Sequence, residues 1–286
     1  MKLFKLQNLF VIILAVLAGF ATFSGIHTRD NSPPYYFKSI RGQDVLIYGK
    51  GLYKHMSADV AIQGIAQDYI TLFVAIPLLL LSLILINKGH RLWKYIFTSI
   101  IGYFLITYLM YLNMAMYNRF FLIYIAVLGL SFFALINRLI NDSNDNFNVT
   151  KNENHIFENA GKFLMVNALL IGLLWLSVVV PPLIDGSIVP LAVAHYTTLT
   201  VQGIDLSLLL PLSFIAGYLA WKNKPRGYYF TLIYCMTLTL LMTALSSKII
   251  FMAREGVSVI PAIFIIPTIT LTALYFSIKM LRSLKK

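Results

Sequence analysis

The sequence predicts an all-α fold, a polytopic transmembrane bundle of about eight helices arranged as two parallel four-helix repeats. Three observations lead there. The residues are 59% hydrophobic and only 12% charged. Eight apolar stretches approach the about 20 residues that cross a hydrocarbon core. A Gln-Gly-Ile tripeptide followed by an aspartate occurs in each half.

Composition sets the class. A soluble domain carries about 45–50% apolar and about 25% charged residues. A chain of 286 residues with the present composition cannot cover its surface with polar groups, so its expected partner is the lipid bilayer. The formal net charge of +12 sits in short loops, with no basic run that fits nucleic acid. In a membrane protein such an excess marks loops facing anionic lipid. The lone cysteine, Cys235, excludes an internal disulfide and a multi-cysteine metal site. In its apolar segment it reads as a small packing residue. No motif calls for a cofactor or a metal.

In chain order the spans fall near 8–26, 69–87, 92–113, 119–140, 162–182, 205–222, 227–249 and 259–281. Pro77, Pro211, Pro261 and Pro267 lie within them; membrane helices tolerate proline and often kink there. The first stretch follows Lys2 and Lys5 and contains Gly19-Phe20-Ala21, so a cleaved signal peptide is the alternative to a retained helix. The apolar run continues past that tripeptide, which favours the helix.

Charge sets the orientation. With the N-terminus in the cytoplasm, 15 Lys and Arg residues fall inside and 8 outside. The short turns 87–93 and 221–227 are densely basic and both fall inside. Short loops weigh most in the positive-inside rule. The expected location is therefore the cell membrane, with both termini cytoplasmic.

Residues 1–140 form the first repeat, 141–160 a cytoplasmic linker rich in Asn, Asp and Glu, and 161–286 the second repeat. Residues 27–68 make an outer loop, the cap of the bundle, in which Val45–Tyr48 reads as a strand and Gly49-Lys50-Gly51 as a turn. That turn lacks the spacing and hydroxyl of a phosphate-binding loop. The tripeptides at Asn141 and Asn148 match a glycosylation pattern, but this topology puts them inside.

The halves share an order: Gln63-Gly64-Ile65, Asp68, Pro77 and a basic turn, against Gln202-Gly203-Ile204, Asp205, Pro211 and a basic turn. An outer arginine follows in each, Arg119 and Arg254. Each half starts and ends inside, so the repeats are parallel. Gly51–Arg91 and Thr200–Leu219 resemble a family of uncharacterised bacterial and archaeal polytopic membrane proteins. The resemblance rests on a glycine-tyrosine segment, the aspartate and the proline. It implies a topology and no activity.

Polar groups at helix ends are the candidate site. Asp68 and Asp205 open the second and sixth helices, where a carboxylate caps free N–H groups without any ligand. The functional reading gathers Gln63, Asp68, Gln202 and Asp205 into one outward pocket for a small molecule or lipid, with Lys248, Arg119 and Arg254 as ion partners. Asn167 reads as an amide tie between helices. Ser99, Tyr103, Thr107 and Tyr111, like Cys235, Thr239, Thr243 and Ser247, recur every fourth residue and form one helix face each, suited to close packing. His27, His55 and His195 lie outside, His90 and His155 inside, in no metal-binding spacing. The leading function class is a transporter or ligand-binding membrane protein. The alternatives are a membrane enzyme acting on lipid, through His55, His195 and the aspartates, or an accessory subunit.

Overall fold

The computed structural model describes residues 2–28, 32–142, 147, 149, 153–187 and 189–284, with side chains from Asn8 onward. Eight helices are long and apolar enough to cross a membrane and mark a multi-pass membrane protein. They are α1 (Lys2–His27), α2 (Ala58–Asn87), α3 (Trp93–Met114), α4 (Phe121–Asp142), α5 (Asn154–Ile184), α6 (Thr200–Trp221), α7 (Pro225–Arg254) and α8 (Ala262–Ser283). Phe73, Leu122, Leu173 and Phe264 stand exposed on four different spans, as lipid-facing apolar side chains must when no water covers them.

Helices α1 to α4 close a ring in sequence order, each touching the next and α4 returning to α1; α5 to α8 close a second ring the same way. The rings meet where α7 packs on α2 and α3. Helix α3 is central, with 67% of its apolar window buried, whereas α5 is peripheral at 11%. At the α3–α7 contact Ser99 Oγ donates to the Ile233 carbonyl at 3.2 Å and Thr237 Oγ1 to the Ser99 carbonyl at 3.0 Å. Small hydroxyl residues let the two backbones approach and supply the bonds between them.

Two helix starts differ from the sequence reading. Helix α2 begins at Ala58 instead of near 69, and α5 at Asn154 instead of near 162. Gln63, Gln67 and Asp68 depress the hydropathy of the first α2 turns, yet the helix persists because neighbouring helices bury Gln67 and Asp68. Pro261 lies just before α8, and only Pro267 is inside it.

Pro77 and Pro211 act alike. Each follows a five-residue π-helical segment, Thr71–Ala75 in α2 and Asp205–Leu209 in α6. A proline has no N–H and its ring crowds the carbonyl four residues back. The helix responds with one wide turn: the Ile76 N–H reaches the Thr71 carbonyl and the Leu210 N–H the Asp205 carbonyl.

Between α1 and α2, strands β1 (Tyr35–Lys38) and β2 (Asp44–Ile47) form an antiparallel hairpin, with Tyr35 opposite Ile47 and Lys38 opposite Asp44. The Gly-Lys-Gly turn after β2 needs its glycines. A Cβ on Gly51 would lie 2.1 Å from the Thr28 carbonyl oxygen, and on Gly49 2.6 Å from that of Pro33. The loop before α6 docks on this cap. His195 Nε2 meets the His55 carbonyl at 2.9 Å, the Tyr196 hydroxyl accepts from the Ser57 N–H at 3.3 Å, and Arg41 bonds the Val189 carbonyl. This is the hairpin side of the bundle; the opposite face is the terminal side.

On the terminal side, Asp142 ends α4. It accepts from Arg138 at 2.7 Å and from the Tyr229 hydroxyl of α7 at 2.9 Å. Phe147, from the segment read as a linker, is buried edge-on against Tyr95, Phe157 and Tyr229. Residues 143–146, 148 and 150–152 of that segment lie outside the described residues, and with them parts of both glycosylation-like tripeptides. So do Arg29, Lys151, Lys285 and Lys286 of the charge count.

Candidate functional site

The deepest charged side chain on α2 is Asp68. It is wholly buried and lies well inside the helix, so it caps no N-terminus. Asp205 likewise follows the first turn of its helix and opens the π segment. The capping role expected for both is therefore replaced by side-chain partnerships. The Asp68 carboxylate accepts the Tyr53 hydroxyl at 2.7 Å and the Tyr111 hydroxyl at 2.9 Å. Tyr111 also reaches the Gly64 carbonyl at 3.0 Å. These two hydrogen bonds offset part of the cost of holding a carboxyl group at this depth.

The surroundings explain why each neighbour is what it is. Gly25 of α1 lies against the carboxylate, where a Cβ would stand 1.9 Å from Asp68 Oδ2. Rings of Tyr108, Tyr111 and Tyr124 pack with centroids 5.6–5.9 Å apart, and Tyr53 joins Tyr111 edge-on. Two of these hydroxyls, on Tyr108 and Tyr124, are buried and make no hydrogen bond among the described residues. Burial pushes the Tyr53 phenol well above its ordinary pKa and the nearby Asp68 charge pushes the same way. Tyr53 thus stays protonated and remains a donor.

One turn along, a second polar set runs towards the middle of the bundle. Gln67 Nε2 donates to the Tyr103 hydroxyl at 2.8 Å and to Thr107 Oγ1 at 3.2 Å, and Thr71 Oγ1 lies 2.8 Å from the same tyrosine hydroxyl. The α3 face expected to serve packing is therefore split. Ser99 packs on α7, while Tyr103, Thr107 and Tyr111 carry polar bonds to α2.

In the second half, Asp205 is half-buried and accepts the Trp175 indole N–H at 2.8 Å. Lys248 of α7, also half-buried, forms a direct ion pair with neither Asp205 nor Asp68 among the described residues. Next to it, Ser247 Oγ donates to the Ala66 carbonyl at 3.3 Å, which ties this turn of α7 to α2. The α7 turn that carries Lys248 thus lies against the α2 turn that carries Asp68.

The other predicted members do not converge. Arg119 and Arg254 are exposed, stacked on Phe120 and Phe251, and Arg119 makes a long bond to Thr28. Gln63 and Gln202 are half-buried without a side-chain hydrogen bond among the described residues, and so is Asn167. His55 offers His195 only its backbone, so the two rings form no pair. Sequence reasoning missed Tyr53, Trp175 and Gly25. Tyr111 stood in the every-fourth-residue pattern of α3, which was the available signal.

A cavity of about 550 Å³ opens on the hairpin side above Asp68. Gly25, Thr28, Tyr48, Lys50, Tyr53 and Ile65 line it. Tyr53 is both its wall and the donor to Asp68, and Gly25, also in the wall, lies against the same carboxylate. Compared with family models, curated proteins and solved structures, the chain matches none.

Proposed function

We propose that this chain is a solute transporter or ligand-binding protein of the cell membrane, with both termini cytoplasmic and its polar centre at Asp68, Lys248 and Asp205. One observation carries the reading. A carboxylate buried within a membrane helix lies two residues from the contact that seats the Lys248 turn of the other four-helix ring on α2. Ionisable groups inside spans are costly, and they mark pathways and binding sites. The cavity walled by Tyr53 supplies an approach to this centre. The two halves as parallel repeats belong to the same proposal. Its support is the matching neighbour order in the two rings and the twin π segments before Pro77 and Pro211.

The test is retention of solute. Proteoliposomes are incubated with a defined mixture of amino acids, sugars and inorganic ions, washed, and read by mass spectrometry. Wild-type protein is expected to retain at least one solute above protein-free vesicles. Asp68→Asn and Asp205→Asn, reconstituted as folded, monodisperse protein, are expected to lose most of it. Retention unchanged in both variants contradicts the proposal.

A further inference from the structure

The Tyr111 hydroxyl sits between two acceptors. It lies 2.9 Å from Asp68 Oδ1 and 3.0 Å from the Gly64 carbonyl oxygen. A phenol carries one hydrogen, so it donates to one of them at a time. Asp68 Oδ2 accepts the Tyr53 hydroxyl at 2.7 Å. With Asp68 ionised, Tyr111 gives its hydrogen to Oδ1, and each carboxylate oxygen has a donor.

The same heavy atoms also suit the neutral acid. A proton on Oδ1 is donated to the Tyr111 oxygen, and the Tyr111 hydrogen turns about its C–O bond to the Gly64 carbonyl. Tyr53 keeps its bond to Oδ2. One proton is taken up, no bond between heavy atoms changes, and none of these groups loses its partner. A carboxylate paired to a buried cation lacks this freedom, because neutralising it strands the cation. Asp68 forms no ion pair among the described residues.

The groups that face Asp68 come from every element packed on α2. The turn before α2 gives Tyr53, α3 gives Tyr103, Tyr108 and Tyr111, and α4 gives Tyr124. Helix α1 presents Gly25, while His27 Nδ1 meets the Phe23 carbonyl. Helix α7 brings Lys248, next to the Ser247 that bonds the Ala66 carbonyl. Lys50 lines the hairpin-side cavity, and Arg119 reaches Thr28 in its wall. Gly25 and Tyr53 belong to that wall too, which gives a proton an approach from the hairpin side.

We propose that Asp68 is a proton-binding site, served by the Tyr111 hydroxyl as it turns between the carboxyl group and the Gly64 carbonyl. Ionisable groups inside spans recur in proton relays. The inference rests on the reading of Asp68 as part of a functional centre, and it names the proton as one ligand of that centre.

The experiment is infrared difference spectroscopy of the full-length protein in lipid vesicles, titrated from neutral to acidic buffer. Wild-type protein is expected to gain a protonated-carboxyl C=O component that is missing in Asp68→Asn. Asp185→Asn, on an exposed loop, should keep it. In Tyr111→Phe the acid loses the acceptor of its O–H, so the component is expected to persist at a shifted frequency. A tyrosine that only fills space would leave it in place. That shift reads the carboxyl group without removing it, so misfolding of the asparagine variant leaves the test intact. Titration spectra that are the same in wild type and Asp68→Asn overturn the proposal, as does an Asp68 component that Tyr111→Phe leaves unshifted. The titration needs no solute, so a chain that retains none fails the earlier test and not this one.

Discussion

Asp68→Ala lowers the stability of the purified protein by about 1–3 kcal/mol, because the buried Tyr53 hydroxyl loses its acceptor, while the Tyr111 hydroxyl keeps the Gly64 carbonyl. The groups left behind are Tyr53 and Tyr111, both held in place by packing. Tyr53 cannot turn to water, being only 2% exposed. Asp68→Asn is far milder, since the amide keeps the shape and one acceptor oxygen. Melting curves of the two variants in the same detergent check this. Equal losses for alanine and asparagine would mean that the charge, not the acceptor, holds the tyrosines. No loss for alanine would mean that the cluster stands without the carboxylate.

Gly217→Val prevents α5 and α6 from docking and leaves little monodisperse protein. A Cβ on Gly217 would stand 2.3 Å from the Gly161 carbonyl oxygen, and a Cβ on Gly161 2.5 Å from that of Gly217. Both obstacles are backbone, so no rotamer relieves them and the two helices must part. Overpacking with side-chain relief costs about 1–3 kcal/mol; backbone against backbone exceeds that. Gly129→Ala is the control, because nothing lies within 4 Å of the place its Cβ would take, and in a helix interior that change is neutral or stabilising by about 0.4–1 kcal/mol. Size-exclusion profiles and melting curves separate the outcomes. A Gly217→Val protein that elutes and melts as wild type would contradict the α5–α6 contact.

The spans were legible because lipid imposes one rule on every residue of a span, and that rule is local. The start of α2 was not. Its first turns carry Gln63, Gln67 and Asp68, which read as a helix end until α1 and α3 are known to bury them. Asp68, Lys248 and Asp205 were visible as costly charges near spans. Their relative placement was not, because it depends on how α7 lies against α2. Tyr53 and Tyr111 are far apart in the chain and flank the same carboxylate only after the hairpin folds over α1. Asp142 with Arg138 and Tyr229 escaped for the same reason, since one partner is a turn away and the other lies in the second ring. Arg119 and Arg254 show the converse: matching positions in the two halves suggested a shared site, yet each lies exposed over its own neighbouring ring.

The account turns on charges from two rings acting as one unit inside the membrane. A double-mutant cycle of Asp68→Asn and Lys248→Met, read as melting stability in one detergent, measures that directly. Coupled groups deviate from additivity by about 0.5 kcal/mol or more, and the account predicts such a deviation, with the double variant less impaired than the sum of the singles. Effects that add within about 0.3 kcal/mol would place Lys248 outside the Asp68 site and contradict it.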